Sequence, residues 1–241
     1  MSAVQTMPRL VAVVGCDGTG KSTLTHELVS RLNAAMPTQR RYLGLISGEA
    51  GNRIKQLPFI GPRLERRLAA KADRAQNMQN KLPGPIGALI MYGFSVWREA
   101  HFRRVRRLAD SGVLVITDRY PQAEIAGFRY DGPGLGKARS TQWFVRKLAE
   151  REQRIYERMA MYHPALVIRL DIDLATAHAR KPDHGVAELT DKIAVMSQLH
   201  YNHAPIVDLD ARAPYVDVLD KALQAVNAAT ASLRLAGAAP T

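Results

Sequence analysis

Cysteine is almost absent: Cys16 is the single one among 241 residues. One thiol excludes a disulfide framework and a cysteine-rich zinc site, and it fits a reducing, cytoplasmic setting. Aromatic residues make up only 6% of the chain and do not interleave with its basic stretches, which argues against a base-stacking surface for single strands. The seven histidines show no metal-ligand spacing; His200 and His203 lie three apart without the glutamate of a metalloprotease helix and read as a surface pair. Long apolar runs are missing too. The longest uncharged stretch, Leu82 to Trp97, is 16 residues, short of a membrane span, and the N-terminus lacks the pattern of a secretory signal. Acidic residues are also scarce, 22 against 34 Lys and Arg.

The basic excess is uneven. Between Arg53 and Arg107 stand 13 Lys/Arg against Glu65, Asp73 and Glu99, which is +10 of the chain's net +12. Such a segment favours a polyanionic partner: a phosphorylated substrate, nucleic acid or anionic membrane. Within it, Arg103, Arg104, Arg106 and Arg107 cluster near a predicted helix C-terminus. Either a solvated face favoured by the helix dipole or a docking surface accounts for them.

With 46% apolar and 23% charged residues the chain is ordinarily globular. Short apolar runs predict strands at Leu10–Val14, Tyr42–Ile46, Val113–Thr117, Leu166–Leu170 and Ile206–Leu209. Helical patterns run from about Gly20 to Ala35 and over 88–110, 141–161, 188–201 and 215–234. This alternation predicts one α/β domain over 1–241: a doubly wound, five-stranded parallel sheet flanked by helices, the P-loop NTPase fold. Residues 47–87, rich in Gly, Pro and Arg, read as an excursion from the sheet, and the alanine-rich C-terminal end as a fraying tail. Trp143, Phe144, Tyr156 and Tyr162 read as core or lid-packing residues, and Cys16 as a small filler.

Gly15-Cys-Asp-Gly-Thr-Gly-Lys-Ser22 fills every position of G-x-x-x-x-G-K-[ST], with an apolar strand entering and a helix leaving. In that setting backbone N–H groups and the helix N-terminus cradle phosphate, Lys21 reaches the β/γ-phosphates, and Ser22 ligates magnesium. No Asn-Lys-x-Asp guanine-reading motif is present. Asp17 places a carboxylate inside the cradle, for an acceptor hydroxyl, a magnesium-bound water, or merely a solvated turn. The third strand ends in Asp118-Arg119-Tyr120-Pro121. There a carboxylate can hold magnesium and a guanidinium can fork onto phosphate, although a plain ion pair is the alternative.

Together these pieces resemble the thymidylate kinase family of P-loop nucleoside monophosphate kinases. The acidic loop and Asp118-Arg119-Tyr120 match two of its motifs, and Phe94-x-x-x-Arg98-x-x-His101 is similar to its base-binding helix. His163-Pro-Ala-Leu through Leu170-Asp-Ile-Asp to Ala179-Arg180-Lys181 is similar to the strand and lid that follow, with a short lid over 178–190, and Ile206 to Ala211 to its last strand. The resemblance spans about two-thirds of the chain. It implies ATP as donor on Gly15, Asp17, Gly18, Thr19, Gly20, Lys21, Ser22 and Thr23, with Mg2+ on Ser22 and Asp118. It further implies a small phosphorylated acceptor, thymidylate first, at Asp17, Phe94, Arg98, His101, Arg119 and Tyr120. Lys21, Arg119, Arg180 and Asp17 would serve the transfer itself, Arg180 arriving from the lid. A homodimer is compatible with it. The chain departs from the pattern in four places. Ser47-Gly-Glu-Ala-Gly stands where an Arg-Glu-Pro-Gly-Gly element is usual, and the lid carries Pro182 and His184 in place of arginines. Ala100 stands where a glutamine is expected, and Gly127 where a tyrosine shapes sugar selection. The phosphoryl-transfer machinery is therefore better supported than thymidylate recognition. A non-nucleotide acceptor, or an ATP-responsive module docking a polyanion through 53–107, stays open as an alternative.

Overall fold

The structure, a computed structural model, describes residues 4–44, 85–125, 135 and 142–233. Within them the element order is β1 (Gln5–Gly15), α1 (Lys21–Leu32), β2 (Thr38–Tyr42), α2 (Pro85–Asp110), β3 (Leu114–Asp118), α3 (Trp143–Ala160), β4 (Tyr162–Asp171), α4 (Leu174–Arg180), α5 (Val186–Gln198), β5 (Ile206–Asp210) and α6 (Tyr215–Ala229). The five strands form one sheet in the order β2-β3-β1-β4-β5. Every pairing in it is parallel.

Successive side chains of a strand point to opposite faces, so a strand covered on both sides is apolar throughout. In β1, Val11 and Val13 enter the core layer shared with Leu24 and Leu28 of α1 and with Val218 and Ala222 of α6. Leu10, Ala12 and Val14 enter the opposite layer, with Phe102 and Val105 of α2 and Ile155 and Tyr156 of α3. β3 alternates likewise, Leu114 and Ile116 one way and Val115 the other. Each fully buried Val or Leu of this kind contributes about 1.5–3 kcal/mol over its exposed form. Pro164 interrupts β4 without breaking it, because it sits opposite Met7 at the one register shift between β1 and β4.

One expectation changes: the second strand runs over Thr38–Tyr42 and so shares only Tyr42 with the described part of the expected 42–46, 45–46 lying outside the described residues, and Thr-Gln-Arg-Arg-Tyr is hardly apolar. Among the described strands it lies at the sheet edge and pairs with β3 alone, so core burial does not dictate its composition. A seven-residue helix, α4, leads into the expected lid and ends within it at Arg180; its N-cap Asp173 accepts from the backbone N–H of Thr176 at 2.8 Å. Residues 47–84 of the anticipated excursion lie outside the described residues, whereas 85–87 open α2.

Candidate functional site

The site lies at the carboxyl edge of β1 and β3, neighbours whose register places Val13 opposite Asp118. β1 runs straight into the loop. At Gly15, with φ of 150°, a Cβ would stand 2.7 Å from the carbonyl oxygen of Leu170, so only glycine lets the loop leave the sheet there. Gly20 adopts φ of 86° as N-cap of α1 and offers no capping side chain. The first N–H groups of α1 therefore remain for an anion. Thr19 tightens the loop by donating its hydroxyl to the Cys16 carbonyl at 2.8 Å. The Lys21 ammonium folds back beneath it, donating to the carbonyls of Gly15 at 2.9 Å and Cys16 at 2.7 Å. Thr23 is exposed on the first turn of α1.

Ser22 Oγ donates to Asp118 Oδ2 at 2.6 Å. Asp118 is 1% exposed, and its Oδ1 is buried with no hydrogen-bond partner among the described residues. A hydroxyl and a carboxylate in contact, with one carboxylate oxygen unpaired among the described residues, have the donor chemistry for a hard divalent cation. Arg40, a site residue that the sequence did not single out, donates to the same Oδ2 at 3.0 Å and to Thr25 Oγ1 at 2.8 Å. Alternation along β2 turns Arg40 to the α1 side.

Arg119 has φ of 77°, a left-handed conformation rare for a non-glycine residue and a mark of local strain. Its guanidinium hydrogen-bonds the Tyr42 hydroxyl and lies 3.5 Å from Asp17 Oδ1. Asp17 Oδ2 accepts from Lys192 of α5 at 2.5 Å, and Lys192 also pairs with Glu188 at 2.7 Å. Burial pushes the Asp17 carboxyl up, but the Lys192 hydrogen bond and the charges of Lys192, Lys21 and Arg119 outweigh it, and the group ends below the usual carboxylate range. Burial likewise pushes Lys192 down, and its bonds to Asp17 and Glu188 bring it above its ordinary value. Burial, with Asp17 beside it, raises the Cys16 thiol, which suits the filler role. His184 Nδ1 stands 3.7 Å from Asp17. Asp17, His184 and Glu188 have the donor chemistry of a cation site, and the Lys192 ammonium already supplies the positive charge there.

The remaining predicted residues fall into separate places. Arg180, the last residue of α4, donates to the carbonyls of Gly18 at 3.2 Å and Ala211 at 3.0 Å, joining the loop to the segment after β5. On α2, Phe94 is 40% exposed, whereas Arg98 is buried and donates to the Tyr156 hydroxyl at 2.9 Å. His101 stacks on Trp97 with ring centroids 4.7 Å apart, and it lines a groove with Arg41, Arg104 and Arg107. Burial, then Arg104 and Arg41, hold its imidazole below the usual value. Tyr120 is 1% exposed, packs edge-on against Phe102 and Tyr201, and gives its hydroxyl to the Tyr162 carbonyl at 2.6 Å. It faces the core. Gly127 lies outside the described residues, and Ala100 is exposed. No helix among the described residues is long and apolar enough to cross a membrane.

No protein-family model matches the chain. Over 221 residues, 92% of this chain and 88% of the relative, it is 58% identical to a protein of Escherichia coli (strain K12) named "Uncharacterized ATP-binding protein YghR". Over 230 residues, 95% of this chain and 97% of the relative, it is 48% identical to "Uncharacterized ATP-binding protein YghS" of the same strain. The chain belongs to the family of these two proteins.

Proposed function

We propose that this member of the YghR and YghS family binds ATP with magnesium and transfers the γ-phosphoryl group to a small phosphorylated acceptor, a nucleoside monophosphate and thymidylate first. The observation that carries the reading is the Ser22–Asp118 contact beside the glycine loop, with the buried Asp118 Oδ1 unpaired among the described residues. The relatives' names, which give ATP as their ligand, support the donor. Ser22 and Asp118 would hold magnesium, which when bound neutralises charge on the donor phosphates.

Phosphoryl transfer needs little covalent help, so positioning and charge stabilisation supply the rate. The N–H groups at the start of α1 and Lys21 hold the donor phosphates. Arg119, kept in place by its strained backbone and by Tyr42, offers its fork to an acceptor phosphate. Arg180 pins the loop at Gly18, a short reach from the donor. Phe94, partly open to solvent on α2, is the stacking surface for an acceptor base, as the resemblance to thymidylate kinases implies. The test is ATP consumption with magnesium against a panel of nucleoside monophosphates, nucleosides and sugar phosphates. Thymidylate turnover is expected, with less than ~10²-fold preference over uridylate-type analogues, because a site with few polar anchors rejects analogues weakly. Turnover confined to a non-nucleotide would replace the nucleotide acceptor and keep the kinase.

A second reading, docking of a polyanion, is favoured by the groove of about 600 Å³ that Arg41, His101, Arg104 and Arg107 line with Leu108 and Ser111. Among the described residues, no acidic one lines it.

A further inference from the structure

Asp17 is the only acidic side chain in the loop from Gly15 to Ser22, and its two oxygens are divided between distant elements. Oδ1 faces Arg119 from the end of β3, and Oδ2 takes the ammonium of Lys192 from α5. A carboxylate in an anion cradle repels the anion that the cradle is shaped to hold. An ammonium whose side chain is 9% exposed is costly unless paired. Each anomaly explains the other: the carboxylate keeps the ammonium at the cradle, and the ammonium masks the carboxylate.

We infer that Lys192 is a phosphate-positioning residue delivered to the loop by α5, with Asp17 as the resident counter-ion that holds it there until a phosphate chain enters. An ammonium has three donors. Two go to Asp17 and Glu188, and the third has no acceptor among the described residues. Because Asp17 belongs to the loop itself, a phosphate seated on the loop N–H groups comes within reach of a lysine 2.5 Å from that carboxylate. Arg119 is shared with Asp17 in the same way. The geometry also ties the loop to the helices on either side of 181–185, α4 through Arg180 at Gly18 and α5 through Lys192 at Asp17. The ligand class is an oligophosphate, free or carried by a nucleotide. A divalent cation bound by Asp17, His184 and Glu188 is disfavoured, since the Lys192 ammonium lies against two of the three.

This inference rests on the phosphate-loop reading but not on the transfer step. Calorimetric titration with inorganic tripolyphosphate and with ATP–magnesium tests it on the full-length protein. Lys192→Met is expected to weaken both ligands about tenfold or more, the scale of one hydrogen bond to a charged group. Lys192→Arg should stay within about threefold of the wild type, since the charge is kept although the geometry changes. Asp17→Asn removes the competing carboxylate while Glu188 still holds the lysine, so it should tighten tripolyphosphate binding. Opposite signs for Lys192→Met and Asp17→Asn are the signature. A merely structural tie would lower thermal stability in both variants and leave both affinities alone or shift them the same way, and either result overturns the inference. If Lys192→Met does not fold, Asp17→Asn/Lys192→Met is compared with Asp17→Asn; equal affinities there also overturn it. Should the wild type bind ATP and phosphorylate no acceptor, the proposed reaction fails while the Lys192 measurements still decide this point.

Discussion

Ser22 and Asp118 are 96 residues apart in the chain and 2.6 Å apart in space, hydroxyl to carboxylate. The sheet order brings them together: β1 and β3 are neighbours, so the loop that leaves β1 meets the aspartate that ends β3. The crevice beyond the carboxyl ends of parallel strands is where ligands of such sheets bind.

Loss of either pole of that site should stop the chemistry and spare the fold. Lys21→Ala and Asp118→Asn are each expected to lower ATP-dependent turnover at least ~10²-fold, since each removes charge stabilisation of the transferring group. Asparagine is the better probe at 118, because it keeps an acceptor for Arg40 where alanine leaves that guanidinium without its carboxylate. Turnover assays beside circular dichroism check this; near-normal turnover in a folded variant would sink the assignment.

Tyr120 and Phe94 should behave in opposite ways. Tyr120→Phe deletes the bond to the Tyr162 carbonyl and is expected to cost about 1 kcal/mol of stability, with the acceptor KM unchanged. Phe94→Ala should leave thermal stability nearly alone and raise the acceptor KM more than it lowers kcat, as expected for lost ground-state stacking. Denaturation curves and steady-state kinetics on the two variants separate a core tyrosine from an acceptor contact.

The Asp17–Lys192 pair sets a pH window. A carboxyl held below its unfolded value contributes stability above about pH 4, and loses it as pH falls through the lowered folded value. An ammonium raised above its unfolded value contributes below about pH 10.4, and loses it as pH rises through the folded value. Between these limits the tie is intact. Asp17→Asn should therefore flatten the acid limb of Tm against pH, and an acid limb as steep as that of the wild type would count against the pair.

The arginine cluster divides by partner. Arg103 pairs with Glu99 at 3.1 Å, and Arg106 lies over the Tyr162 ring at 3.4 Å, whereas Arg104 and Arg107 line the groove with Arg41. Arg104→Glu/Arg107→Glu should reduce the salt dependence of oligonucleotide binding, by roughly one unit of slope per phosphate contact removed. Arg103→Glu should change that slope much less, and neither should alter turnover on a small acceptor. Fluorescence polarisation over a salt series reads the slope, and anionic vesicles in parallel show whether the partner is a membrane instead.

The local parts of this protein were legible in its sequence. Gly15 to Ser22 is contiguous, and the cradle's requirements (a φ that only glycine tolerates, a lysine and a hydroxyl on the first turn) are met within eight consecutive positions. Buried strands β1, β3 and β4 declared themselves because helices cover both faces and force apolar runs. Where burial relaxes, the signal fades: β2 sits at the edge, so its polar Thr-Gln-Arg-Arg-Tyr pulled the expected strand toward the apolar residues after it. The site's distant cations were beyond reach for another reason. Lys192 is 175 residues from Asp17, and Arg40 is 78 from Asp118. A lysine on an amphipathic helix and an arginine on an edge strand look in sequence like ordinary solvated charges, and only the strand order and the packing of α5 against the loop turn them inward. Tyr120 shows the converse, since the resemblance of Asp118-Arg119-Tyr120 to a family motif implied an acceptor contact. Side chains alternate at the end of a strand, and the left-handed turn at Arg119 sends the next residue into the core.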